Sequence, residues 1–504
     1  MSSNQAPYSH FLSSAEQSRI MDQQTISEFG IPGFTLMEVA ATKAADILRD
    51  YFPDKQHILF LCGKGNNAGD GLAIARLLAE QGCQCTVVMV AGTHDLSDDC
   101  AHNLKLLKRL PYSVSIQSGW EPEVLPAQID VVIDGMLGVG IQKEVREPFV
   151  EAIEWVNDQE IPVIALDVPS GLNPDTGRIM GVSIQAAFTL AFGGLKIGFY
   201  LNDGKRTTGS VFLCELPIPN HLKRAAAYLI DESWCSVPGE VSITRTHKYE
   251  EGKVQVIAGS TGLTGAAILA SRSAWGTGVG AVNLFSPHAL LPVYEKQLEQ
   301  IIKTAVGAQS ASFFSKQDGA VIFERLNPAR DVLLIGPGIG RTQDAQECVQ
   351  YVLSHYKGRV VIDADALFTL SEWGSFTKPA SAEWILTPHP GELARLTKTD
   401  VSDDFKRIRL VGQFSKQHGV TVLSKGYPCM IADSGGTVFL TDYDTRMFSR
   451  AGFGDVLAGK IAGFWLQQRS PFEAITGALL EGKHRADAFF KGEHKHPFEP
   501  LDLI

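Results

Sequence analysis

At about 100 to 200 residues per domain, the 504 residues of this chain predict roughly two to four domains. Hydrophobic residues make up 44% and charged residues 20% of the chain, which is typical of a globular α/β protein and excludes a disordered or collagen-like chain. The formal net charge is −11 and no long block of like charge is present, so nucleic acid is not a predicted partner.

The cysteines and the N-terminal segment indicate the cellular setting. Eight scattered cysteines show no zinc-ligand spacing, so we expect them to be reduced. The first residues lack a basic region followed by an apolar one, and no apolar run reaches the ~18 residues of a membrane span. We therefore predict a cytoplasmic protein with no membrane partner.

In chain order, short apolar runs alternate with turns and helix-like segments, the pattern of parallel sheets with crossover helices. The predicted strands are His57–Cys62, Cys85–Val90, Val131–Asp134 and Ile161–Asp167 in the first half, and Lys253–Gly259, Val332–Gly336, Val360–Asp363, Trp384–Leu386 and Val420–Lys425 in the second. In the proline-containing stretch between the two halves, this alternation of strands and helices stops. This interruption predicts two α/β domains, 1–225 and 246–504, joined by a linker at 226–245.

A glycine-rich turn, GKGNNAGDG, follows the first predicted strand and leads into an amphipathic helix. Its free backbone N–H groups favour a bound anion such as a pyrophosphate. The turn matches a loose dinucleotide-binding fingerprint at Gly63, Gly65 and Ala68. The acid that binds the ribose in ordinary dehydrogenases is missing, however, and the turn lacks the Lys-Ser or Lys-Thr pair of a P-loop. The turn therefore indicates a nucleotide site, with a purely structural tight turn as the alternative.

Two further strands of the first half end in acids, Asp134 and Asp167. The carboxyl ends of parallel strands form the ligand crevice of an open sheet, so these carboxylates and Asn67 are expected to converge. A single aspartate at the end of a strand more often caps a turn, but three turns that each supply a side-chain oxygen favour a ligand-binding site.

The motifs GKGNNAGDG, IDGMLGVG and LDVPSGLNPDTG, followed by TLAFGGLKIG, resemble the N-terminal domain of the NAD(P)H-hydrate epimerases over residues 10 to 225. The resemblance implies a Rossmann-like three-layer fold, a catalytic Asp167 beside the C6 centre of the substrate, and a potassium ion at Asn67, Asp134 and Ser170. It further implies that the damaged dinucleotide binds at Asn66, Asn67, Ala68, Gly69, Asp70, Gly138, Val139, Gly140, Ile141, Gln142, Lys143, Glu144 and Asp167. Potassium prefers the oxygen ligands that the three metal positions offer.

The chain departs from this family's usual pattern at two places. Val39 stands where LMENAG has an asparagine, and Ala68 stands where GNNGGDG has a glycine. We expect the Ala68 methyl to narrow the dinucleotide cradle and Val39 to remove a polar contact.

In the second half, glycine-rich or proline-rich turns follow the strands at GPGIG and TPHPGEL, and AGFGDVLAG opens a patterned apolar helix. Backbone N–H groups around Gly454 can stabilise phosphoryl oxygens, and Asp455 can take a proton from a substrate hydroxyl. This layout is typical of a small-molecule kinase. The alternative is an aspartate that only caps the helix, and for His389 a structural role between its two prolines.

GAAILA, GPGIG, DADAL, TPHPGEL, LSKGYPC and AGFGDVLAG resemble, in order over residues 246 to 490, the ribokinase-like C-terminal domain of the NAD(P)H-hydrate dehydratases. The resemblance implies that the hydrate contacts Ala266, Gly338, His389 and the catalytic Asp455. It implies that the adenine nucleotide binds at Lys425, Gly426, Tyr427, Pro428, Cys429 and Gly454. Many members carry GNPGMATGGTGD where this chain has DTRMFSRAGFGD, so Arg446 and Arg450 add positive charge there.

Together the two resemblances imply a bifunctional repair enzyme for hydrated nicotinamide dinucleotides. Its first domain would interconvert the R and S epimers of NADHX and NADPHX, and its second would dehydrate the S epimer. The implied co-substrate is ADP, with ATP as the alternative donor, and the implied ions are K⁺ and Mg²⁺. We also expect a homo-oligomer.

Two other functions stay open at the level of the sequence. A ribokinase-like vitamin kinase would phosphorylate its substrate without eliminating phosphate. A catalytically silent nucleotide-binding scaffold would fit the altered GFGD loop and Ala68, although the two retained aspartates argue against it.

Overall fold

The computed structural model describes residues 11–52, 57–111, 114–230, 252–374, 376–467, 470–492, 494 and 496–504. The chain divides into two compact units, Met1–Leu229 and Ile230–Ile504. Both units are α/β with largely parallel sheets, which confirms the predicted fold class. The domain limits of 225 and 246 stay predictions, since residues 231–245 of the predicted linker lie outside the described residues.

The first unit is built on a seven-stranded parallel sheet. Its strand order is β4-β3-β2-β5-β6-β7-β9, and a small ribbon pairs β1 with β8 and β10. The chain reverses its direction of travel across the sheet between β2 and β5, so the crevice for a ligand opens there. The strands are β1 (Phe11–Ser13), β2 (His57–Cys62), β3 (Gln84–Met89), β4 (Ser115–Ser118), β5 (Val131–Gly135), β6 (Val163–Leu166), β7 (Phe188–Phe192), β8 (Leu195–Lys196), β9 (Ser210–Cys214) and β10 (Ala227–Leu229).

Helices cover both faces of this sheet, and the side chains of β2 alternate between them as the period of a strand requires. Phe60 packs with helix residues such as Leu72 and Leu104 on one face, whereas Leu59 and Leu61 pack with Ile153 on the other. The helices are α1 (Ala15–Gln24), α2 (Gly33–Tyr51), α3 (Asn66–Glu80), α4 (Asp98–Leu107), α5 (Phe149–Asn157) and α6 (Gly204–Thr208).

Within its described residues, the second unit contains nine strands in the order β13-β12-β11-β14-β15-β16-β17-β18-β19. Pairing is parallel from β13 to β17 and antiparallel beyond it. The switch point lies between β11 and β14. The strands are β11 (Val254–Ile257), β12 (Val282–Pro287), β13 (Ile302–Val306), β14 (Val332–Ile335), β15 (Arg359–Ile362), β16 (Glu383–Leu386), β17 (Thr421–Ser424), β18 (Met430–Ala432) and β19 (Val438–Leu440).

The helices of the second unit pack closely because small residues line α14. A Cβ on Gly459 would lie 2.3 Å from the carbonyl oxygen of Ala270 in α7, so only glycine permits this approach. The helices are α7 (Thr264–Gly276), α8 (Leu291–Gln297), α9 (Asp318–Phe323), α10 (Gln343–His355), α11 (Asp365–Glu372), α12 (Pro390–Thr397), α13 (Asp404–His418), α14 (Phe453–Gln467) and α15 (Pro471–Lys491).

All nine predicted strands are present within a few residues of their expected limits. The sequence pattern did not reveal seven others of these two sheets, including β7 and β12. In the described part of the chain, no helix combines the length and the apolar character that crossing a membrane requires.

Candidate active sites

A cavity of about 650 Å³ opens in the first unit at the carboxyl ends of β2, β5, β6 and β7. The loop after β2 can enter this region because Gly63 has no side chain; a Cβ there would lie 2.0 Å from the carbonyl oxygen of Met136. The predicted site residues that line the cavity are Asn66, Asn67, Asp70, Gly138, Val139, Gly140, Ile141 and Asp167.

Five predicted contacts lie outside this lining. Ala68 and Gly69 are buried in the first turn of α3, where the Ala68 methyl joins the hydrophobic core under the sheet. The methyl therefore faces away from the cradle that we expected it to narrow. Gln142, Lys143 and Glu144 are exposed beyond the end of the lining segment.

Asp167 is held by a buried lysine that the sequence pattern did not single out. Lys196 is 1% exposed, and its ammonium forms an ion pair with Oδ1 of Asp167. The ammonium also donates to the carbonyl oxygens of Phe192 (2.9 Å) and Gly194 (3.0 Å), while the Phe192 N–H donates to Oδ1 of Asp167 at 3.0 Å. These contacts fix the carboxylate at the cavity wall.

The backbone of Asp167 is in the left-handed region, with φ at +60°. This conformation is uncommon for a residue other than glycine and costs of order 1–3 kcal/mol. The fold offsets that strain, and Asp167 is thereby placed in the lining beyond the end of β6. Strain of this kind concentrates at functional sites.

The three residues of the predicted potassium site lie together, with Asn67 in the cavity lining and the buried Asp134 and Ser170 beside it. Ser170 donates from its N–H (2.7 Å) and its hydroxyl (2.6 Å) to the carboxylate of the fully buried Asp134. Asn67 donates to the carbonyl oxygen of Leu137 at 2.6 Å, and the Leu137 N–H donates to the Ser170 hydroxyl at 2.8 Å.

Two features of this cluster fit a cation. The side-chain oxygen of Asn67 is buried and has no hydrogen-bond partner among the described residues. Burial raises the pKa of Asp134 to about 6, although the hydrogen bonds from Ser170 and Met136 oppose the shift. A nearby cation would satisfy the Asn67 oxygen and offset the cost of burying the Asp134 charge.

Helix α1 contributes a wall of the cavity that the sequence pattern did not indicate. Ser18, Arg19, Met21 and Asp22 line the cavity from this helix. Desolvation raises the pKa of Asp22 to about 6 against the opposing charge of Lys196. No strand-end signal marks Asp22, so only the tertiary fold reveals its position.

A second cavity, of about 490 Å³, lies in the second unit around the N-terminus of α14. The predicted residues that line it are His389, Lys425, Gly426, Tyr427, Cys429, Gly454 and Asp455. Pro428 is not part of the lining. Ala266 and Gly338 are also outside it but adjoin each other, since a Cβ on Gly338 would lie 3.2 Å from that of Ala266.

Asp455 shares this cavity with a buried ion pair. Nζ of Lys425 lies 2.8 Å from Oδ1 of Asp363, which also accepts from the Thr387 hydroxyl at 2.7 Å. Burial raises the pKa of Asp455 to about 7; the charge of Asp363 adds to this shift and that of Lys425 opposes it. Asp455 is thus suited to take up a proton near neutral pH.

His389 has a clear structural role in addition to its place in the lining. Its Nδ1 accepts from the backbone N–H groups of Gly391 (3.0 Å) and Glu392 (3.3 Å), so it caps helix α12. Partial burial, together with the charge of Lys425, lowers its pKa. Its Nε2 lies 3.5 Å from Oε1 of Glu392.

Arg407 on α13, also missed from the sequence, positions the predicted nucleotide loop. Its guanidinium donates to the carbonyl oxygens of Lys425 (3.3 Å) and Pro428 (3.0 Å). The Thr445 hydroxyl donates to the carbonyl oxygen of Gly426. The loop 425–429 is therefore attached to two other elements.

Comparisons with known proteins match the two units separately. A family model described as "YjeF-related protein N-terminus" matches residues 33–198, and one described as "NAD(P)H-hydrate dehydratase" matches residues 254–501. The first match begins after α1, so the wall that contains Asp22 precedes it.

Full-length relatives cover nearly the whole chain. The bifunctional NAD(P)H-hydrate repair enzyme of Salinibacter ruber is 30% identical over 96% of this chain and 93% of its own length. That of Moorella thermoacetica is 31% identical over 94% and 91%. Among solved structures, the ADP/ATP-dependent NAD(P)H-hydrate dehydratase of Bacillus subtilis, co-crystallised with ATP/Mg²⁺, is 26% identical, with 52% of this chain and 88% of that chain covered and a TM-score of 0.45.

Proposed function

Since this chain belongs to the family of bifunctional NAD(P)H-hydrate repair enzymes, we infer that its two cavities perform the family's two reactions. The first unit epimerises hydrated nicotinamide dinucleotides at C6, and the second dehydrates the S epimer with an adenine nucleotide. The observation that carries this assignment is that each cavity contains one of the two predicted catalytic aspartates.

In the first cavity, Asp167 takes the proton of the C6 hydroxyl as the C6–N1 bond breaks to give an aldehyde, and it returns the proton when N1 re-forms that bond on the other face. Lys196 and the Phe192 N–H hold Oδ1 of Asp167, so the carboxylate is presented in one orientation. The dinucleotide lies along the start of α3 and the segment 138–141, where backbone N–H groups of the helix terminus favour its phosphates. Its contacts to Gln142–Glu144 stay predictions.

A potassium ion is proposed at Asn67, Asp134 and Ser170. The buried unpartnered oxygen of Asn67 and the raised pKa of Asp134 support it. The ion would supply positive charge beside the cradle, and these oxygen-bearing residues would hold it.

In the second cavity, Asp455 takes the proton from the C6 hydroxyl as that oxygen attacks the terminal phosphorus of the nucleotide. With ADP as the donor, the new O–P bond replaces the bond to the α-phosphate, and AMP leaves. Phosphate then departs with the electrons of the C6–O bond, a proton is lost from C5, and the C5=C6 double bond of the dihydronicotinamide is restored. The loop 425–429 and Gly454 hold the nucleotide.

Mg²⁺ is proposed to arrive on the nucleotide phosphates, where it offsets part of their charge. In the parts of the chain that the structure describes, no group of three or more His, Cys, Asp or Glu side chains is arranged to hold a metal. Of the carboxylates that line this cavity, Asp363 and Asp455 are the two proposed to supply ligands to such an ion.

The test follows two products with purified full-length chain, mixed NADHX epimers and ADP or ATP. We expect NADH absorbance and inorganic phosphate to rise together, each dependent on both substrates. A vitamin kinase would release no phosphate in this assay, and a silent scaffold would change neither signal. Formation of a phosphorylated substrate without NADH would refute the proposed dehydration.

A homo-oligomeric state and a cytoplasmic location stay predictions. The preference for ADP over ATP as the donor and the use of both NADHX and NADPHX also stay predictions. Light scattering after gel filtration checks the oligomeric state. Steady-state kinetics with each nucleotide and each hydrate check the donor preference and the use of both hydrates.

A further inference from the structure

The second cavity is lined by five cationic or potentially cationic side chains, and they differ in how their charge is balanced. They are His389, Lys425, Arg446, Arg450 and Lys460. An adenine nucleotide carries several negative charges into this cavity, so an unbalanced cation is the natural partner of its phosphates.

Carboxylates already engage four of these five side chains. Lys425 lies 2.8 Å from Asp363, and the buried Lys460 lies 2.6 Å from Glu481. Arg446 forms a two-pronged pair with Asp444 at 2.6 and 2.9 Å, and its guanidinium lies 4.8 Å from the centre of the Tyr427 ring. His389 is adjacent to Glu392.

Arg450 is different. Its guanidinium donates to the carbonyl oxygen of Phe498 at 3.1 Å, and no carboxylate of the described residues pairs with it. The side chain is exposed and lies on the loop that leads to Gly454 and Asp455. The bond to Phe498 uses one donor of a group that has five, which leaves the other donors for a ligand.

The chain around Arg450 is held in place by packing. Phe453 and Phe498 belong to one apolar cluster, with ring centres 5.3 Å apart. A Cβ on Gly452 would lie 3.1 Å from Pro500, so the C-terminal segment rests directly on this loop. Arg450 is therefore part of a packed segment of the cavity lining.

We propose that Arg450 binds the outermost phosphate of the nucleotide, the phosphoryl group that Asp455 directs the substrate hydroxyl to attack. The inference rests on the proposed function for the identity of the ligand. It gives the unusual DTRMFSRAGFGD loop a role in binding, because Arg450 in this loop makes a charge-assisted contact to the group being transferred.

The experiment compares ADP with AMP, because AMP lacks the outermost phosphate. Calorimetric titration of the full-length Arg450→Gln variant, which keeps a side-chain donor for Phe498, is expected to show ADP bound about tenfold more weakly or worse, with AMP affinity unchanged within about twofold. Arg450→Lys, which keeps the charge, should recover much of the loss. Arg409→Gln on the exposed side of α13, outside the cavity lining, is the matched charge control and should leave both affinities unchanged.

Unchanged ADP binding in Arg450→Gln, or equal weakening of ADP and AMP, would overturn the proposal, since the latter indicates only a structural role. The proposed function fails in a different way. If the wild-type chain binds ADP but releases no phosphate with NADHX, the dehydratase assignment is refuted while the comparison of ADP with AMP still decides the role of Arg450. A wild-type chain that binds neither nucleotide refutes both.

Discussion

The two cavities pair a lysine with an aspartate in different ways. In the first, Lys196 pairs directly with Asp167, the residue proposed to move the proton. In the second, Lys425 pairs with Asp363, and burial raises the pKa of Asp455, the proposed base, to about 7. In the first site the lysine holds the carboxylate proposed to move the proton, whereas in the second it holds a neighbouring carboxylate.

The largest expected effect comes from removing the base of the second cavity. Asp455→Asn should lower NADH recovery from both epimers by about 10²- to 10⁴-fold, because the variant loses the base proposed to take the hydroxyl proton. Coupled measurement of NADH and phosphate checks this. Asp344→Asn, an exposed aspartate on α10, is the matched control. Recovery within a few-fold of wild type in Asp455→Asn would remove Asp455 from catalysis.

Removing the carboxylate of Asp167 from the first cavity should affect only one epimer. Asp167→Asn is expected to leave the S epimer repaired at the wild-type rate and to slow the R epimer by about 10²-fold or to its spontaneous rate. Separate progress curves for each epimer measure this, with the exposed Asp158→Asn as the control. Equal slowing of both epimers would contradict the division of labour between the cavities.

The pH dependence of dehydration tests the electrostatics of the second cavity. Because Asp455 must be ionised to accept a proton and its pKa is raised to about 7, kcat/KM should fall about tenfold per pH unit below that value. The Asp363→Asn variant loses a negative charge that raises the pKa of Asp455. It also leaves Lys425 without its carboxylate partner, so the charge of Lys425 lowers the pKa of Asp455 more strongly. The acid limb should therefore move to lower pH. A limb that stays in place or moves upward would show that Asp363 does not act on Asp455.

The smallest effect concerns the potassium site. KCl in place of choline chloride should raise the melting temperature of the unit that contains Asp134, since a ligand at about 100 times its Kd adds about 2.7 kcal/mol to stability. The gain should vanish in Asn67→Ala and shrink below about pH 6 in the wild type, where Asp134 becomes protonated. An equal gain in wild type and Asn67→Ala would contradict the site.

The features that could be predicted from the sequence are those that depend on local sequence pattern. Strand-end acids such as Asp134 and Asp167 and the glycine-rich turn at Gly63 are readable because parallel strands bring their carboxyl ends to one edge. The turn before Asp455 is readable for a similar reason, since it opens a well-patterned helix. These local features are enough to predict where both cavities lie.

Contacts that depend on tertiary packing were not predictable in this way. Lys196 lies within the TLAFGGLKIG motif, but its pairing with Asp167 depends on how the chain returns after β7. Asp22 reaches the cavity from a helix with no site signal, and Arg407 acts through backbone carbonyls. The direction of the Ala68 methyl was also misjudged, because the start of α3 sets which residues face the core.

Complementation between two variants tests the central claim most directly. With mixed epimers and ADP, the Asp167→Asn chain alone should recover only the S epimer quickly. Addition of the Asp455→Asn chain, which retains the first cavity, should restore recovery of the R epimer to the wild-type rate because the epimers diffuse from one chain to the other. Recovery no faster than that of the Asp167→Asn chain alone would contradict the assignment of one reaction to each cavity.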